Sequence, residues 1–405
     1  MLLDYDLVEK LTEKYGSPLY VFHEKEFVDN YKDLENAFKK VYENYQISYS
    51  YKTNYTPYIA SVVKRLGGYA EVVSGMEYYI AKKLGYKDEN IIFNGPNKGE
   101  DGIKAFLNGS IINIDNLTEI QRICETASSH PDLTFEVGIR VNIDVGQDFI
   151  SRFGIDITEI PIAVKMIGQV SNLKVAGLHC HISRCRGLDA WRKRVEKMLQ
   201  LSDQYFEQPP RYIDLGSGMF GSMAPEFASQ FSNVPTYEEY ATCVAKLFAE
   251  HYQRYSKNEK PILFTEPGTT LINRFVDFIG RVDTIKTVRG KTVAVLNCSE
   301  HNLGETCLLK ELPMRIVSNG EQQDYEEVDF TGYTCLEQDV MRRNYTGNLA
   351  VGDYVVFGNV GGYSNVLKPP FIWPNCAMIA ITLDGDVKLM KQKETYEDIL
   401  HTYMF

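Results

Sequence analysis

The sequence predicts an α/β protein with two parts: a closed (β/α)8 barrel of the TIM type, and a C-terminal antiparallel β-domain that also takes in an N-terminal strand. Strand-like runs and helical patterns alternate through residues 47–265, which is typical of a parallel sheet, and eight such units favour closure. Beyond about residue 275 helical periodicity gives way to β-rich pieces joined by Gly and Asn turns. We predict a barrel domain over residues 25–274 and a β-domain over residues 1–24 and 275–405. An open doubly wound sheet is the alternative to the barrel.

The predicted elements follow in chain order. An acidic helix at 5–14 and a strand at 19–22 come first, and a charged helix covers roughly 24–44. Ile47, Tyr49 and Tyr51 then alternate as in a half-buried strand, which ends at Lys52. Further barrel strands are predicted at 69–73, 90–94, 110–114, 133–141, 173–182, 211–215 and 261–265. Helical patterns between them span 58–66, 76–84, 100–107, 117–129, 157–170, 189–206 and 237–255.

Composition disfavours several classes of protein. Lys and Arg total 43 against 54 Asp and Glu, a net charge of −11, so nucleic acid and anionic membranes are poor partners. The N-terminus has Asp4 and Asp6 where a signal peptide needs basic residues, and no apolar run approaches the ~20 residues of a membrane helix. The 8 cysteines show no CxxC spacing, which favours reduced thiols over a disulfide framework. We therefore expect a cytoplasmic protein with no nucleic-acid or membrane partner.

Polar and glycine residues concentrate where a βα barrel places its active site, at the C-terminal ends of the strands. In chain order these residues are Lys52, Glu71, Arg140, His179, His181, Gly216, Ser217, Gly218, Glu266 and Gly268. The Gly216-Ser217-Gly218 turn leaves space for backbone N–H groups to approach an anion. Such a turn alone more often only ends a strand, but its place after strand seven is typical of a phosphate site.

A phosphate site together with a strand-end lysine indicates pyridoxal 5'-phosphate (PLP), whose aldehyde forms a Schiff base with a lysine amine. Tyr49 and Tyr51 wall Lys52, which favours a desolvated, neutral amine. Glu266 is placed to keep the pyridine nitrogen protonated, which makes the ring a strong electron sink, and His181 is placed to stack on the ring. Considered singly, each residue has an ordinary structural explanation: a surface lysine, a capping or ion-paired glutamate, and a core histidine.

Several motifs together resemble those of the fold-type III PLP decarboxylases, the alanine-racemase-like barrel class that includes diaminopimelate and ornithine decarboxylases. In the barrel region they are residues 51–54 (YKTN), 71–77 (EVVSGME), 177–182 (GLHCHI), 214–218 (DLGSG) and 266–268 (EPG). Residues 335–339 (CLEQD) and 361–363 (GGY) resemble two further motifs of that family. The matches run in order over nearly the whole chain. The resemblance implies a PLP-dependent carboxy-lyase that acts on an amino acid.

The resemblance also implies roles for individual residues. Lys52 is expected to carry the cofactor, Glu266 to bind the pyridine nitrogen, and His181 to stack on the ring. Cys335 is expected to protonate Cα after carbon dioxide leaves, and since in this family the cysteine reaches the other subunit's active site, a homodimer is implied. Further cofactor contacts are expected from Glu71, Gly216, Ser217, Gly218, Gly268, Thr269 and Tyr363. Candidate substrate contacts are Arg140, Arg184, Glu337 and Asp339.

The departures from the family pattern concern phosphate and substrate. The family often has Arg after Glu-Pro-Gly, where this chain has Thr269, so a guanidinium is missing. Arg184, on a neighbouring loop, is a candidate for the missing charge. Diaminopimelate decarboxylases carry Glu after the cysteine, where this chain has Leu336, and their arginine-and-tyrosine segment is not recognisable around residues 297–308. These departures weaken meso-diaminopimelate as the substrate.

Three alternatives remain open. Cys180 and Cys185 with the two strand-six histidines offer metal ligands, but Cys180 points away from the histidines' face and zinc needs three or four ligands. A racemase on the same barrel typically places an arginine at the pyridine nitrogen, so Glu266 and Cys335 favour decarboxylation. A non-catalytic PLP-binding barrel lacks a second domain, which residues 275–405 provide here.

Overall fold

Eight runs of mainly apolar residues form a closed parallel barrel in the structure, a computed structural model that describes residues 3–405. We number the barrel strands one to eight in chain order: Tyr45–Ser50, Tyr69–Val72, Ile91–Phe93, Ile111–Ile114, Phe135–Asn142, Leu173–His179, Tyr212–Asp214 and Ile262–Thr265. Each strand pairs in parallel with its neighbours, and strand eight pairs with strand one, which closes the sheet. The predicted fold class is confirmed.

Helices alternate with the barrel strands, and short polar residues begin several of them. Ser74 accepts a hydrogen bond from Glu77 N–H at 3.2 Å, and Asn116 accepts one from Glu119 N–H at 2.9 Å. The longer helices of the chain are Tyr5–Tyr15, Glu24–Lys39, Pro57–Arg65, Gly75–Lys83, Gly99–Leu107, Leu117–Ser128, Ile160–Gly168, Leu188–Tyr205 and Tyr237–His251. Short helices are Pro225–Ala228, Thr269–Ile272, Glu300–Leu303, Glu305–Leu309 and Tyr396–Leu400.

The helix predicted from residue 157 begins three residues later. Ile155–Asp156 pairs with the end of strand five as a two-residue strand, with Val141 opposite Ile155. Pro161 then lies in the first turn of the helix Ile160–Gly168, where its missing N–H costs no hydrogen bond. The sequence pattern could not separate this short edge strand from the helix that follows it.

Large and small residues alternate inside the barrel so that one tyrosine ring fills its centre. A Cβ atom on Gly177 would lie 2.4 Å from the Tyr212 ring, and one on Gly138 would lie 2.1 Å from the Tyr212 hydroxyl oxygen. A side chain at either glycine position would therefore displace the ring. The glycines position Tyr212 so that its hydroxyl donates to Asn113 Oδ1 at 2.7 Å.

A second sheet contains the N-terminal strand Leu19–His23 and the strands of the last third of the chain. These strands are Val276–Val288, Lys291–Leu296, Met314–Val317, Gln323–Thr331, Val340–Leu349, Tyr354–Phe357, Ala377–Ile381 and Val387–Lys391. Leu19–His23 pairs antiparallel with Val276–Val288 and parallel with Ala377–Ile381, so it joins this sheet as predicted. Lys291–Leu296 and Gln323–Thr331 form a second parallel pair, and the sheet is therefore mixed, with mostly antiparallel pairs.

Contacts group the chain into two units. The barrel unit comprises Asn30–Gly221 and Asn233–Thr270, and the β-unit comprises the chain up to Asp29, Ser222–Ser232 and Leu271–Phe405. The domain boundaries given by the sequence stay a prediction. Over residues 3–405, no helix combines the length and the apolarity needed to cross a bilayer.

Candidate active site

Lys52 lies at the C-terminal end of barrel strand one, in the 3₁₀ turn Tyr51–Thr53. Its Nζ donates to Glu71 Oε2 at 2.9 Å, and its side chain is 30% exposed whereas that of Glu71 is fully buried. Tyr49 and Tyr51, which precede it in the chain, are buried, and their contact with Lys52 stays a prediction. The adjacent carboxylate favours the ammonium form of Lys52. This effect opposes the preference for a neutral amine that was expected from desolvation by the two tyrosines.

Asn94, at the end of strand three, links the carboxylates of Glu71 and Glu266. Its Nδ2 donates to Glu71 Oε1 at 3.1 Å and also to Glu266 Oε1. Its Oδ1 accepts from Asn113 Nδ2 at 2.9 Å, and Asn113 accepts in turn from the Tyr212 hydroxyl. All five residues are buried. Because Asn113 donates to Oδ1, both amide hydrogens of Asn94 are directed to carboxylates.

Glu266 lies between two histidines and a second carboxyl group. His179 Nε2 is 3.3 Å from Glu266 Oε1, and His181 Nδ1 is 3.6 Å from Oε2. Burial lowers the pKa of both histidines, that of His181 to about 3, so both imidazoles are neutral at pH 7. Burial, and then the charge of Glu266, raise the pKa of Asp214 well above its usual value. Burial alone would also raise the pKa of Glu266, but the polar contacts of His179 and His181 and the positive charge of Lys52 lower that pKa well below its usual value, so Glu266 stays ionised.

The Gly216–Gly218 turn forms a narrow cradle against the end of strand six. Gly216 has a φ of +66° and Gly218 a φ of +104°, values that favour glycine. A Cβ atom on Gly216 would lie 2.4 Å from Cys180 O, and one on Gly218 would lie 3.0 Å from Ile182 O. Neither glycine position therefore has room for a side chain, and both present backbone alone, which fits a phosphate group.

Backbone contacts join this turn to the two residues expected at the cofactor ring. Ser217 N–H donates to His181 Nδ1 at 3.2 Å, and Glu266 N–H donates to Gly216 O at 2.8 Å. Through Glu71 and Asn94 the same network reaches Lys52. The structure thus brings together the lysine, the histidine, the glutamate and the glycine turn that the sequence placed at separate strand ends.

The remaining predicted cofactor contacts lie on three further loops or turns. Gly268 packs against the turn that carries Lys52, because a Cβ atom there would lie 2.1 Å from Thr53 Oγ1. Thr269 is half-buried and begins the short helix Thr269–Ile272. Tyr363 belongs to the β-unit and adopts a left-handed φ of +54°. Their contacts with a cofactor stay predictions.

The two arginines expected at the substrate differ in their surroundings. Arg140 is buried, donates to Asp115 Oδ1 at 3.3 Å, and has its guanidinium 4.8 Å from the centre of the Phe153 ring. Arg184 is exposed, with a left-handed φ of +68°, and lies 6.0 Å from the Phe149 ring. Arg140 is thus fixed in place, whereas Arg184 faces solvent beyond the histidine strand.

Cys335, Glu337 and Asp339 lie on one loop of the β-unit. Cys335 and Glu337 are exposed, whereas Asp339 is buried. The Asp339 carboxylate accepts from the Thr334 hydroxyl at 2.6 Å, from Thr334 N–H at 3.2 Å and from Glu300 N–H at 2.8 Å. Asp339 therefore closes the loop that presents Cys335, and its contact with substrate stays a prediction.

Asn94, Asn113 and Asp214 are site residues that were not predicted from the sequence. Asn94 directly follows strand three, so the strand-end rule that indicates Lys52 also indicates Asn94. Asn113 lies within strand four and carries no motif.

The metal alternative takes a different form in the structure. Over residues 3–405, the one group of three His, Cys, Asp or Glu side chains whose ligand atoms all lie within 4.8 Å of one another is His179, Asp214 and Glu266. Cys180 and Cys185, the sulfur ligands weighed from the sequence, are not part of it. The group lies within the network described above.

Two family models match the chain. Residues 27–273 match the pyridoxal binding domain of pyridoxal-dependent decarboxylases, and residues 207–361 match their C-terminal sheet domain. The first match alone covers more than half of the chain. The matches confirm the predicted resemblance and the predicted cofactor.

Relatives and solved structures agree with the family models. A diaminopimelate decarboxylase of Methanocaldococcus jannaschii is 26% identical over 98% of this chain and 93% of that protein. One of Aquifex aeolicus is 24% identical over 97% of this chain and 93% of that protein. The diaminopimelate decarboxylase structure from M. jannaschii in complex with L-lysine has a TM-score of 0.85 at 26% identity, covering 98% of this chain and 94% of that chain. A lysine/ornithine decarboxylase from Vibrio vulnificus shares the fold, with a TM-score of 0.76 at 18% identity, covering 93% of this chain and 97% of that chain.

Proposed function

The chain belongs to the pyridoxal-dependent decarboxylases, and we propose that Lys52, Glu71, His181 and Glu266 bind the PLP with which it removes the α-carboxylate of an amino acid. The protein is a PLP-dependent carboxy-lyase. One observation carries the assignment of residues: a continuous set of hydrogen bonds runs from Lys52 Nζ through Glu71 and Asn94 to Glu266.

Glu266 is suited to hold a proton on the pyridine nitrogen. When bound, the cofactor takes up the electrons left on the substrate's Cα as carbon dioxide departs, which requires that protonated nitrogen. Glu266 is ionised at neutral pH, so it accepts a charge-assisted hydrogen bond there. Asn94 and His179 contact Oε1, which leaves Oε2 on the side of His181. Because the His181 imidazole is neutral, it adds no charge that competes for the carboxylate.

Lys52 provides the amine and Glu71 controls its proton. A lysine must lose its proton before the amine acts as a nucleophile, and Glu71 Oε2 lies 2.9 Å from Nζ. Glu71 is itself held by Asn94, so its carboxylate keeps a fixed direction toward the lysine. The Gly216–Gly218 turn, with Gly268 and Thr269, would hold the phosphate.

Replacing the lysine tests this assignment. We expect Lys52→Ala to lose the visible absorbance band of the bound cofactor and its resistance to dialysis, because no amine remains to hold the aldehyde carbon. Lys104→Ala, at an exposed position on a barrel helix, is the matched control and should keep both. A Lys52→Ala protein that keeps the band would remove the lysine from its role.

We infer that Cα is protonated by Cys335 of the partner subunit in a homodimer. Cys335 is exposed on a loop that Asp339 holds closed, so its thiol is available to a second chain. Mixing Lys52→Ala with Cys335→Ala chains tests this inference, since shared sites give mixed dimers with one intact site. We expect activity to return to about a quarter of wild type, as random pairing of two subunits predicts. Mixtures that stay inactive, or a monomer in sedimentation, would contradict it.

For the substrate, we propose an amino acid other than meso-diaminopimelate. The support is Leu336 in place of the family's Glu, together with the segment around residues 297–308, which here forms the short helices Glu300–Leu303 and Glu305–Leu309. Carbon dioxide release should be measured for lysine, ornithine, arginine, carboxylated polyamines and meso-diaminopimelate. Highest kcat/KM for meso-diaminopimelate would overturn the proposal. Interconversion of enantiomers without carbon dioxide release would favour the racemase alternative.

Two further parts of the proposal concern organisation and location. The boundary between the barrel and β-domains is placed at residues 24/25 and 274/275, and limited proteolysis with mass spectrometry would test it. A cytoplasmic location is supported by the 8 cysteines, all of which are free thiols. Cell fractionation with a tagged chain would test that location.

A further inference from the structure

Arg194 is a fully buried cation without a carboxylate partner. It lies in the helix Leu188–Tyr205 and is 0% exposed. Within the described residues, no Asp or Glu oxygen lies within 4.0 Å of its guanidinium. Its nitrogens bind backbone carbonyls instead: Nη1 donates to Leu215 O at 2.7 Å and to Ser217 O at 2.8 Å, and Nη2 donates to Ile182 O at 3.2 Å. Its Nε has no hydrogen-bond acceptor.

A charge in this position needs compensation. Buried charges in proteins are normally paired, because removing an ion from water costs several kcal/mol even after relaxation. Burial accordingly lowers the pKa of Arg194. Carbonyl dipoles offset part of the cost but carry no net negative charge. The surroundings of Arg194 therefore favour an anion close by.

The hydrogen bonds of Arg194 also set the direction of the glycine turn. In a trans peptide the C=O of one residue and the N–H of the next point in opposite directions. With the carbonyls of Leu215 and Ser217 directed at Arg194, the N–H groups of Gly216 and Gly218 face away from it. Gly216 N–H donates to Asp214 Oδ1 at 2.8 Å, whereas Gly218 N–H has no acceptor among residues 3–405.

A second side chain of the same helix holds the turn from the same side. Trp191 Nε1 donates to Gly218 O at 3.2 Å. The Arg194 guanidinium stacks on the Trp191 ring at 4.1 Å from its centre, a cation–π contact that fixes the guanidinium in place. Arg194 is thus rigidly placed behind the turn, with an unpaired backbone N–H on the opposite side.

We propose that Arg194 is a positioning residue that supplies, through the Gly216–Gly218 turn, the positive charge for the cofactor's phosphate, in place of the arginine missing at Thr269. The proposal rests on the proposed function, since it requires the phosphate at this turn. It accounts for Thr269, because a cation behind the turn makes a second guanidinium unnecessary.

The test compares PLP with pyridoxal, which lacks only the phosphate. The dissociation constants of PLP and of pyridoxal for the cofactor-free protein are measured by titration. The ratio of the pyridoxal constant to the PLP constant reports how strongly the protein recognises the phosphate. We expect Arg194→Met to lower the ratio by about tenfold, or about 1.4 kcal/mol, because the turn loses the positive charge behind it. Arg192→Met, at an exposed position of the same helix, is the matched control and should leave the ratio unchanged. Adding Thr269→Arg to Arg194→Met should restore the ratio.

A purely structural role would weaken both ligands equally and leave the ratio unchanged, which would overturn the proposal. If Arg194→Met does not fold, two measurements on the wild-type protein still test whether the turn binds phosphate. Inorganic phosphate should compete with PLP and not with pyridoxal, and should raise the Tm of the cofactor-free protein more than chloride at equal ionic strength. Absence of that competition would also overturn the proposal. A wild-type protein that binds neither PLP nor pyridoxal would refute the proposed function instead.

Discussion

Replacing Asn94 by leucine should separate the carboxylate-bridging role of this residue from ordinary packing. The variant keeps a side chain of similar size and removes both hydrogen bonds to Glu71 and Glu266. A hydrogen bond to a charged group contributes about 1.5–3 kcal/mol, so we expect the free energy of unfolding to fall by about 3–6 kcal/mol. Asn113 also loses its acceptor, which adds to the loss.

Urea unfolding of the cofactor-free protein at several pH values is the assay. The folded-state pKa of Glu266 lies below its ordinary value of 4.5, so its stabilising contribution is present above about pH 4.5 and is lost as the pH falls through the folded-state pKa. The difference between wild type and Asn94→Leu should therefore be largest near pH 7 and should shrink below pH 4.5. In the loaded protein, loss of the fixed Glu266 carboxylate should also weaken PLP binding.

Asn142→Leu is the matched control for this experiment. Asn142 also ends a barrel strand and donates two hydrogen bonds, to Ser151 O at 2.7 Å and Phe153 O at 2.8 Å, but both acceptors are neutral. Losing these two hydrogen bonds should lower the free energy of unfolding by about 1–3 kcal/mol, and this change should not depend on pH. If Asn94→Leu costs less than about 1 kcal/mol, or shows the same pH-independent loss as the control, the bridge between the carboxylates does not stabilise them.

Three further predictions concern the glycine turn, a buried acid and the exposed arginine. Gly216→Ala should weaken PLP binding by about tenfold or more, because its Cβ would lie 2.4 Å from Cys180 O. Gly109→Ala, with a φ of +88° and open space, is its control, and equal effects on PLP affinity would refute the role of the cradle. Burial raises the pKa of Glu77 to about 7, above its unfolded value near 4.5, so wild-type stability should fall as the pH rises between those values. Glu77→Gln should then be more stable than wild type above pH 7 in urea unfolding, by about 3 kcal/mol at most, and equal to it below pH 4.5; no gain at pH 8 would refute this. Arg184→Ala should raise the substrate KM and leave PLP affinity within about twofold of wild type, since its guanidinium is exposed; a large loss of PLP affinity would assign it to the phosphate instead.

The sequence predicted those parts of the site that follow from a repeating pattern. Alternating apolar residues located the strands, the barrel rule located their ends, and Lys52, His181 and Glu266 therefore had to point to one mouth. The glycine turn was predictable because a backbone cradle requires the residue without a side chain. In each case a local rule determined the position of a residue in the sequence, and closure of the barrel brought these positions to one mouth.

The residues that the sequence did not reveal act through distant partners. Asn94 and Glu266 are 172 positions apart, and nothing near either residue indicates the other. Arg194 lies in the helix Leu188–Tyr205, where an arginine ordinarily faces solvent, and its burial becomes visible only once the glycine turn packs against that helix. A single Asn or Arg has many ordinary uses, so its role depends on the closed structure.

The charges at the mouth of the barrel fit a ligand that carries both signs. Over the described residues, no Lys or Arg nitrogen lies within 4.0 Å of Glu266, and its two histidine neighbours are neutral. Arg194 likewise has no carboxylate within that distance, and the Gly216–Gly218 turn lies between the two residues, bonded to Arg194 through Ser217 O and to Glu266 N–H through Gly216 O. Burying each of these charges costs the fold free energy, and the attraction of Lys52 for Glu266 and of Glu266 for Arg194 offsets only part of that cost. A ligand with a protonated ring nitrogen at one end and a phosphate at the other compensates both at once, so its binding should stabilise the fold more than pyridoxal, which satisfies only Glu266.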